Sequence, residues 1–397
     1  MANRKYLLAA LLTICCYLAG AQTVTFRQVD STSLAQYNAG NWRALIVDGN
    51  SAINSGIDYP VLRLRIAYAQ FMSSNYHGAL AQYNQVLKSD SYNQTAHYFS
   101  YLCNKYLDNN PAASYHASFI DTAVINREHI ASFGLLIAGL ETGVKIPSNA
   151  QRGMGSYTRA SLGNRLGWRL QADQSLAYYN QSITSTTPTN GTTPQITPTN
   201  TTFANTQFEY YAKLGYSINC RLTLLGAYHY LNNSFGDVNF QNHVAMAGIK
   251  YAAPFFTLQG DANVSSITGA RVTQFNVQLS TYPLGNLNFY TASRLSVQTG
   301  DIKQNIFTQL LGFKLSKQLW LEASGSFGAM NNYLEADALY VYSAIDVSQW
   351  KAGSTAFFAL GQHAVLCLNY TFEQKLDYYL NNNYKQNSIT GGLIWKF

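Results

Sequence analysis

The sequence predicts a mainly β protein, a transmembrane antiparallel β-barrel of about fourteen strands preceded by a small α-helical domain. Three observations carry this prediction. Charged residues make up only 11% of the 397-residue chain, against roughly 25% in an ordinary soluble domain. Aromatic residues reach 14%, including 30 Tyr and 20 Phe. Apolar and polar residues alternate through most of the last two thirds of the chain, as expected of strands that face lipid on one side and a lumen on the other.

A short apolar segment at the start of the chain predicts a signal peptide over residues 1–21. Arg4 and Lys5 precede the apolar run, which ends in Ala19-Gly20-Ala21, and cleavage is expected before Gln22. A signal peptide is consistent with a barrel of the bacterial outer membrane.

The composition argues against two other classes of protein. The mean hydropathy of −0.12 is too low for a helical membrane protein. The net charge of +7 comes from few acidic residues, and no run of Lys and Arg occurs, so no nucleic-acid partner is expected. The cysteines of the mature chain form an odd, scattered set that predicts free, partly buried thiols: Cys103, Cys220 and Cys367.

Residues 22–125 predict a small helical domain with a 34-residue repeat. Asn41-Trp42 recurs as Asn75-Tyr76, 34 residues further on, and several apolar positions keep the same spacing. This is the period of the tetratricopeptide repeat (TPR), a helix–turn–helix unit that stacks into a concave binding surface. We expect about two and a half repeats, and an unrelated pair of helical hairpins is the alternative. The residues expected to pack the middle repeat are Ile66, Ala67, Tyr76, Ala79, Tyr83 and Leu87.

Residues 130–397 predict the barrel. The alternating segments suit tilted membrane strands, which need roughly 9–11 residues. Short turns such as residues 219–221 and 361–362 belong on the periplasmic side, and the longer connections belong outside. Fourteen strands is the best count, with twelve or sixteen as alternatives. The uncharged, Thr-rich segment 184–207 is expected to be a mobile extracellular loop.

The closing strand carries the predicted assembly signal. Alternate residues from Ile389 onward are mostly apolar and end in Trp395 and Phe397. Such a strand resembles the closing strand of bacterial outer-membrane barrels, which the barrel assembly machinery reads. The expected partners of the barrel are therefore the lipid of the outer membrane and this machinery.

Strand parity assigns a set of charged side chains to the inside of the barrel. Both signs are mixed, which argues against a strongly ion-selective pore. Two interpretations remain open: a polar lining for a neutral or zwitterionic solute or glycan, and a salt-bridged plug that stiffens a narrow barrel. The set consists of Arg159, Arg169, Asp173, Glu209, Lys213, Asp261, Arg294, Glu322, Lys351 and Glu373.

The sequence holds no recognisable metal, nucleotide or nucleophile motif in a suitable context, so we expect no metal, no other cofactor and no catalysis. A weaker hypothesis is a hydrolase at the barrel rim. It arises because His229 and His243 flank a predicted outer loop that holds Ser234 and Asp237.

The order of signal peptide, short TPR segment and barrel ending in GGLIWKF resembles the YaiO-type outer-membrane barrel proteins. The resemblance implies a helical domain in the periplasm that docks a periplasmic protein or a glycan. Export porins for poly-N-acetylglucosamine and cellulose have the same order with many more repeats. We therefore expect a role in envelope transport or assembly linked to glycan or exopolysaccharide export. A non-conducting scaffold that docks a periplasmic partner is the alternative.

Overall fold

The computed structural model describes residues 24–187 and 199–397, which form a helical region followed by a closed barrel. The predicted signal peptide, residues 1–21, lies outside the described residues. Within the described ranges, no helix has both the length and the apolar character needed to cross a bilayer.

The helical region consists of helix–turn–helix pairs with a constant period. Helices α1, α3 and α5 begin at residues 26, 60 and 94, and α2, α4 and α6 begin at 42, 76 and 110, so both series repeat every 34 residues. Asn side chains cap two of these helices: Asn75 accepts a hydrogen bond from the Gly78 amide, and Asn93 accepts one from the Ala96 amide. The helices are α1 Phe26–Asn38, α2 Trp42–Asn54, α3 Pro60–Met72, α4 Tyr76–Ser89, α5 Gln94–Tyr106, α6 Asn110–Ala117 and α7 Thr122–Arg127.

The centre of the helical region is a fully buried cluster between α3, α4 and α5. Ala67, Ala79 and Tyr83 have no exposed surface and pack together, with Tyr76 and Leu87 partly buried against them. The small side chains of Ala67 and Ala79 let α3 and α4 approach closely. They also leave space beside them for the ring of Tyr83.

The expectation that Ile66 belongs to this cluster is wrong. Ile66 packs in a separate cluster with Val29 and Leu62, towards the first helix pair. A Cβ at Gly49 of α2 would lie 2.7 Å from the Ile66 side chain, so a glycine is what allows this approach. Successive residues on a helix point about 100° apart, and Ile66 therefore faces α2 while Ala67 faces α4.

The barrel has fourteen antiparallel strands, which confirms the predicted fold class and strand count. It closes where the first strand pairs with the last, with Leu140 opposite Leu393. The barrel strands are β1 Phe133–Pro147, β2 Arg152–Leu166, β3 Leu170–Thr187, β4 Thr199–Ser217, β5 Leu222–Phe235, β6 Val238–Ala253, β7 Phe256–Ile267, β8 Ala270–Thr281, β9 Phe289–Gly300, β10 Asn305–Lys314, β11 Leu319–Met330, β14 Val347–Leu360, β15 Ala364–Leu376 and β16 Asn383–Lys396. A separate two-stranded hairpin, β12 Tyr333–Glu335 and β13 Tyr340–Tyr342, lies between β11 and β14.

The two faces of the barrel wall have opposite chemistry. On β7 the outward side chains of Leu258 and Val264 are 44% and 56% exposed, whereas the inward Gln259, Asp261 and Asn263 are buried. On the other strands too, most large apolar side chains point away from the lumen. A soluble barrel would bury these side chains, so the outer face is built for an apolar surrounding.

We call the end of the barrel next to the helical region the near end and the opposite end the far end. The far end carries the longest described connection, residues 331–346, but also two turns of only two residues, 236–237 and 268–269. The near-end turn 282–288 is longer than these. The expected division into short near-end turns and longer far-end connections therefore fails at these three turns. The near-end turn 282–288 is long because it contacts the helical region.

Much of the segment 184–207 is strand rather than the expected mobile loop. Strand β3 extends to Thr187 and β4 begins at Thr199, and Thr184 pairs with Thr202 with 2.9 Å between their hydroxyl oxygens. Thr is β-branched and favours extended backbone, so a Thr-rich segment prolongs the hairpin. Residues 188–198, the rest of this predicted loop, lie outside the described residues.

Candidate functional site

The lumen of the barrel contains the β12–β13 hairpin, which enters from the far end. Tyr333 and Leu334 of β12 are completely buried. Leu334 packs with an apolar patch on the inner wall, formed by Leu231, Val244, Met246 and Ile267. Because the rest of the inner wall is largely polar, this patch fixes where the hairpin packs in the lumen.

The tip of the hairpin has an unusual backbone. Ala336, Asp337 and Ala338 have φ angles of 52°, 58° and 64°, in the left-handed region that non-glycine residues rarely adopt. Such a conformation costs on the order of 1–3 kcal/mol for each residue and persists only where surrounding contacts enforce it.

Hydrogen bonds from the barrel wall supply those contacts. The Tyr211 hydroxyl donates to the carbonyl of Asp337 at 2.9 Å, and the Arg159 guanidinium donates to the carbonyl of Leu339 at 3.1 Å. The His229 Nδ1 atom lies 2.7 Å from the carbonyl oxygen of Ala338. The wall therefore holds the strained tip through its backbone oxygens.

Two carboxylates of the hairpin form ion pairs with the wall. Asp337 lies 3.5 Å from the Lys213 ammonium and accepts a hydrogen bond of 2.7 Å from the Gln259 amide. Glu335 lies 2.6 Å from the Lys351 ammonium. We call these contacts of Asp337 and Glu335 the latch.

The wall charges also pair with one another. Arg159 lies 2.9 Å from Glu209, and the Asp261 carboxylate lies 3.7 Å from Arg294. Lys213 has a second partner, Asp173, at 3.3 Å. Two further acids of the expected lumen set accept hydrogen bonds, Glu322 from the Tyr290 hydroxyl and Glu373 from the Ser348 hydroxyl.

Arg169 differs from the rest of the expected lumen set. It lies in the near-end turn between β2 and β3 and is exposed. Its guanidinium stands over the ring of Tyr115 of the helical region, 5.3 Å from the ring centroid. Arg169 therefore contacts the helical region rather than lining the lumen, because the turn at Gly167 ends the strand alternation before it.

The wall opposite the apolar patch combines small side chains with charged ones. Strands β14, β15, β16 and β1 lie across the barrel from β5–β8. Their inward positions include Gly143, Gly353, Thr371, Thr390 and Gly392, together with the charged side chains of Glu141, Lys145, Lys351 and Glu373. The hairpin thus packs against the apolar patch on one side and, on the other, faces a wall of glycine, threonine and charged side chains that includes Lys351 of the latch.

A buried ion cluster at the far end clamps the base of the hairpin. Arg152 of β2 lies 2.6 Å from Asp346, at the end of the hairpin connection, and 3.2 Å from Asp377, in the β15–β16 loop. The Tyr384 hydroxyl and the Asn149 amide complete the cluster. All three charged side chains are at most 4% exposed, so removing one would leave its partners unpaired in a buried position.

The helical region docks on the near end of the barrel. The amide of His77 donates to the carbonyl of Gly285 at 2.9 Å, and the Asn286 amide donates to the carbonyl of Ser74 at 2.9 Å. The His77 ring stacks on Tyr282 with 4.6 Å between centroids. Gly285 has a φ of 68°, and a Cβ there would collide with the side chain of Asn75. The glycine at position 285 therefore allows this turn to approach the helical region closely.

Acid should weaken the helical region. Burial lowers the pKa of His77 to about 4, and burial beside His97 lowers the pKa of His116 to about 3. Unfolded histidines have a pKa near 6.5, so between about pH 6.5 and pH 4 the unfolded state binds more protons than the folded state. Each such histidine therefore lowers the free energy of unfolding by ~1.4 kcal/mol for each pH unit of acidification in this window. Thermal melting followed by circular dichroism should show the helical signal lost at lower temperature at the acid end. His116→Gln should reduce this pH dependence, whereas a substitution of the exposed His129 should not. A pH-independent melt would contradict the expectation.

The histidines of the proposed hydrolase site lie on opposite faces of the sheet. His229 is buried inside the lumen, 3.3 Å from Glu209, while His243 is exposed and lies 2.8 Å from the Tyr228 hydroxyl on the outer face. The expected outer loop is reduced to the two-residue turn 236–237. These residues therefore form no common site. In the part of the chain that the structure describes, no cluster of three or more His, Cys, Asp or Glu side chains is arranged to hold a metal ion.

Several solved structures are similar to this chain at low sequence identity. The toluene transporter TodX of Pseudomonas putida matches with a TM-score of 0.46 and 10% identity, covering 74% of this chain and 93% of TodX. A FadL homologue of Pseudomonas aeruginosa gives 0.45 and 10%, covering 73% and 93%. The outer-membrane protein Omp33 of Acinetobacter baumannii gives 0.39 and 7%, covering 66% and 99%. No family model and no curated protein sequence matches the chain.

Proposed function

We propose that the chain is an outer-membrane conduit that the β12–β13 hairpin closes at rest, with the helical region in the periplasm. The observation that carries this proposal is a polar lumen in which a latched hairpin lies beside a wall of glycine, threonine and charged side chains. Displacing the hairpin would leave a polar passage along that wall. The cargo that suits such a passage is a polar molecule of low net charge, and we propose a glycan linked to exopolysaccharide export.

The outer face supports the membrane location. Large apolar side chains that point outward include Leu140, Leu176 and Phe275, which are 57%, 50% and 52% exposed. Covering such a surface with lipid removes apolar area from water and is strongly favourable. Trp395 and Phe397 of the closing strand end are 45% and 61% exposed, consistent with the proposed recognition by the barrel assembly machinery.

The helical region supports a docking role. Its 34-residue helix period is that of TPR arrays, whose stacked pairs bind a peptide or polymer. We propose that it recruits a periplasmic protein or the glycan itself to the near end, as in a barrel of the YaiO type. We assign the chain no catalytic activity and no cofactor.

The ion selectivity of the open lumen should be weak and tunable. Arg294→Gln leaves Asp261 without its cationic partner, so the lumen becomes more negative and should favour cations. Reversal potentials in a salt gradient, measured in lipid bilayers on a barrel with a shortened hairpin, test this. Arg271→Gln, at an exposed position on the outer side of β8, is the matched control and should leave the reversal potential unchanged. An unchanged reversal potential in the Arg294 variant would argue that the lumen does not conduct near this pair.

A non-conducting scaffold is the second candidate. It is favoured by one observation, namely that the barrel is occupied at both ends, by the hairpin from the far end and by the helical region at the near end. The two candidates differ in one measurement. A conduit conducts once the hairpin is removed, whereas a scaffold stays silent and still binds its periplasmic partner.

A further inference from the structure

The far end carries an exposed aromatic tip in the β15–β16 loop, residues 377–382. Tyr378, Tyr379 and Leu380 are 71%, 57% and 54% exposed, and the two tyrosine rings stand edge to face with centroids 5.4 Å apart. Three adjacent large side chains in contact with water are unfavourable for a loop with no binding role.

This tip does not belong to the apolar outer belt. Between the belt and the tip, the outward positions on β16 are polar and include Asn387 and Lys385, whereas β15 carries Phe372, Gln374 and Leu376 there. The outward Tyr370 hydroxyl donates to Asn387 at 2.7 Å, so polar contacts begin on this part of the outer face. The tip therefore stands beyond the lipid-facing surface, on the side that the proposed function makes extracellular.

The tip is held rigid from below. The buried Asp377 accepts hydrogen bonds from the amides of Tyr379 and Leu380, both at 2.8 Å, and Asp346 accepts one from the amide of Tyr378 at 3.0 Å. The Arg152 guanidinium, which pairs with both acids, lies 6.0 Å from the centroid of the Tyr379 ring. Rigid tyrosines on a fixed loop provide contact area at little cost in conformational entropy, which is the property of a preorganised binding surface.

We propose that this tip is a carbohydrate-binding site that contacts the polysaccharide cargo as it leaves the barrel, an inference that rests on the proposed function. Two features favour a neutral sugar chain over a protein or an anionic ligand. The exposed side chains of the tip are uncharged, and the rings are followed by a run of amides, Asn381, Asn382 and Asn383. The C–H bonds of a sugar ring stack on the negative face of an aromatic ring, while amides bond to its hydroxyls.

The tip is also continuous with the lumen site. The same ion cluster that supports Tyr378 and Tyr379 clamps the base of the β12–β13 hairpin through Asp346. A polymer that passes the hairpin therefore meets these rings at the far rim.

The test is binding of two neutral probes, cellohexaose and chitohexaose, to the full chain in detergent, measured by saturation-transfer NMR. A Tyr378→Ala/Tyr379→Ala double variant should weaken binding of the accepted probe about tenfold or more, since two stacking contacts are removed. Tyr178→Ala is the matched control, because Tyr178 is also exposed, at 50%, but lies on the outward face of β3, away from the rim. Heat-modifiable migration on gels should show that both variants keep a folded barrel.

The outcomes separate this site from the conduit itself. Loss of binding in the double variant with retention in the control supports the site. Absence of probe binding to the unmodified chain, or equal binding by the double variant, overturns it. If a hairpin-shortened barrel conducts, the conduit is supported whether or not the rim binds the probe. If it is silent but still binds the probe through Tyr378 and Tyr379, the rim site is supported and the conduit is contradicted.

Discussion

Neutralising the latch should turn a nearly silent barrel into a conducting one. In a Glu335→Gln/Asp337→Asn variant, Lys351 and Lys213 lose their hairpin partners, at 2.6 Å and 3.5 Å. Hydrogen bonds to charged groups contribute about 1.5–3 kcal/mol each, so the loss of two should shift the balance between closed and open hairpin by about 100-fold or more. The strained tip, Ala336 to Ala338, favours release once its contacts weaken. Single-channel recordings in lipid bilayers measure the change.

The same lysine provides the control. Asp173→Asn removes the other partner of Lys213, which belongs to the wall and lies 3.3 Å away, and should leave the barrel closed. If the latch variant conducts no more than the unmodified chain, the scaffold interpretation is favoured.

Ala79→Arg should unfold the helical region while the barrel persists. Ala79 has no exposed surface and lies in the cluster of Ala67 and Tyr83, so an arginine there both overpacks the site and buries a charge without a partner. Such substitutions destabilise by several kcal/mol, on the order of the whole stability of a small domain. Circular dichroism of the full chain should lose its helical component and keep its β component.

Gln85→Arg is the matched control, because Gln85 lies on the same helix and is exposed. It should leave the spectrum unchanged. The Ala79 variant should also free the near-end turn from its contacts with Ser74 and His77, which increased proteolysis near Gly285 would report. An intact helical spectrum in the Ala79 variant would show that the cluster around Tyr83 tolerates a charge and is less tightly packed than its burial indicates.

The barrel could be predicted from sequence because its rules are local. Alternation along each strand and a polar turn after it follow from the period of two and from turn chemistry. The strand hairpin around residues 219–221 needs nothing further. The number of strands then follows from counting the turns.

The site could be predicted only in part, because it depends on register and on a loop that folds back. The face on which His243 lies relative to His229 is set by the pairing of β5 with β6, which no single strand reveals. The hairpin carried one usable indication. Leu334, Leu339 and Val341 are apolar residues in a long far-end connection, and such side chains must be buried against something. The choice of the lumen as that place is a tertiary property.

The pairing of β1 with β16 implies an order of events during biogenesis. Ile137 pairs with Lys396, so closure joins the two ends of the barrel sequence and is the contact with the greatest separation along the chain. The helix pairs depend on contacts within a few tens of residues, and such contacts form sooner than distant ones. The helical region should therefore be folded while the adjoining β1 still has an unpaired edge. An open edge is a template for other chains, and a folded neighbour hinders their approach. The helical region would then act as a built-in chaperone for the barrel until its last strand arrives.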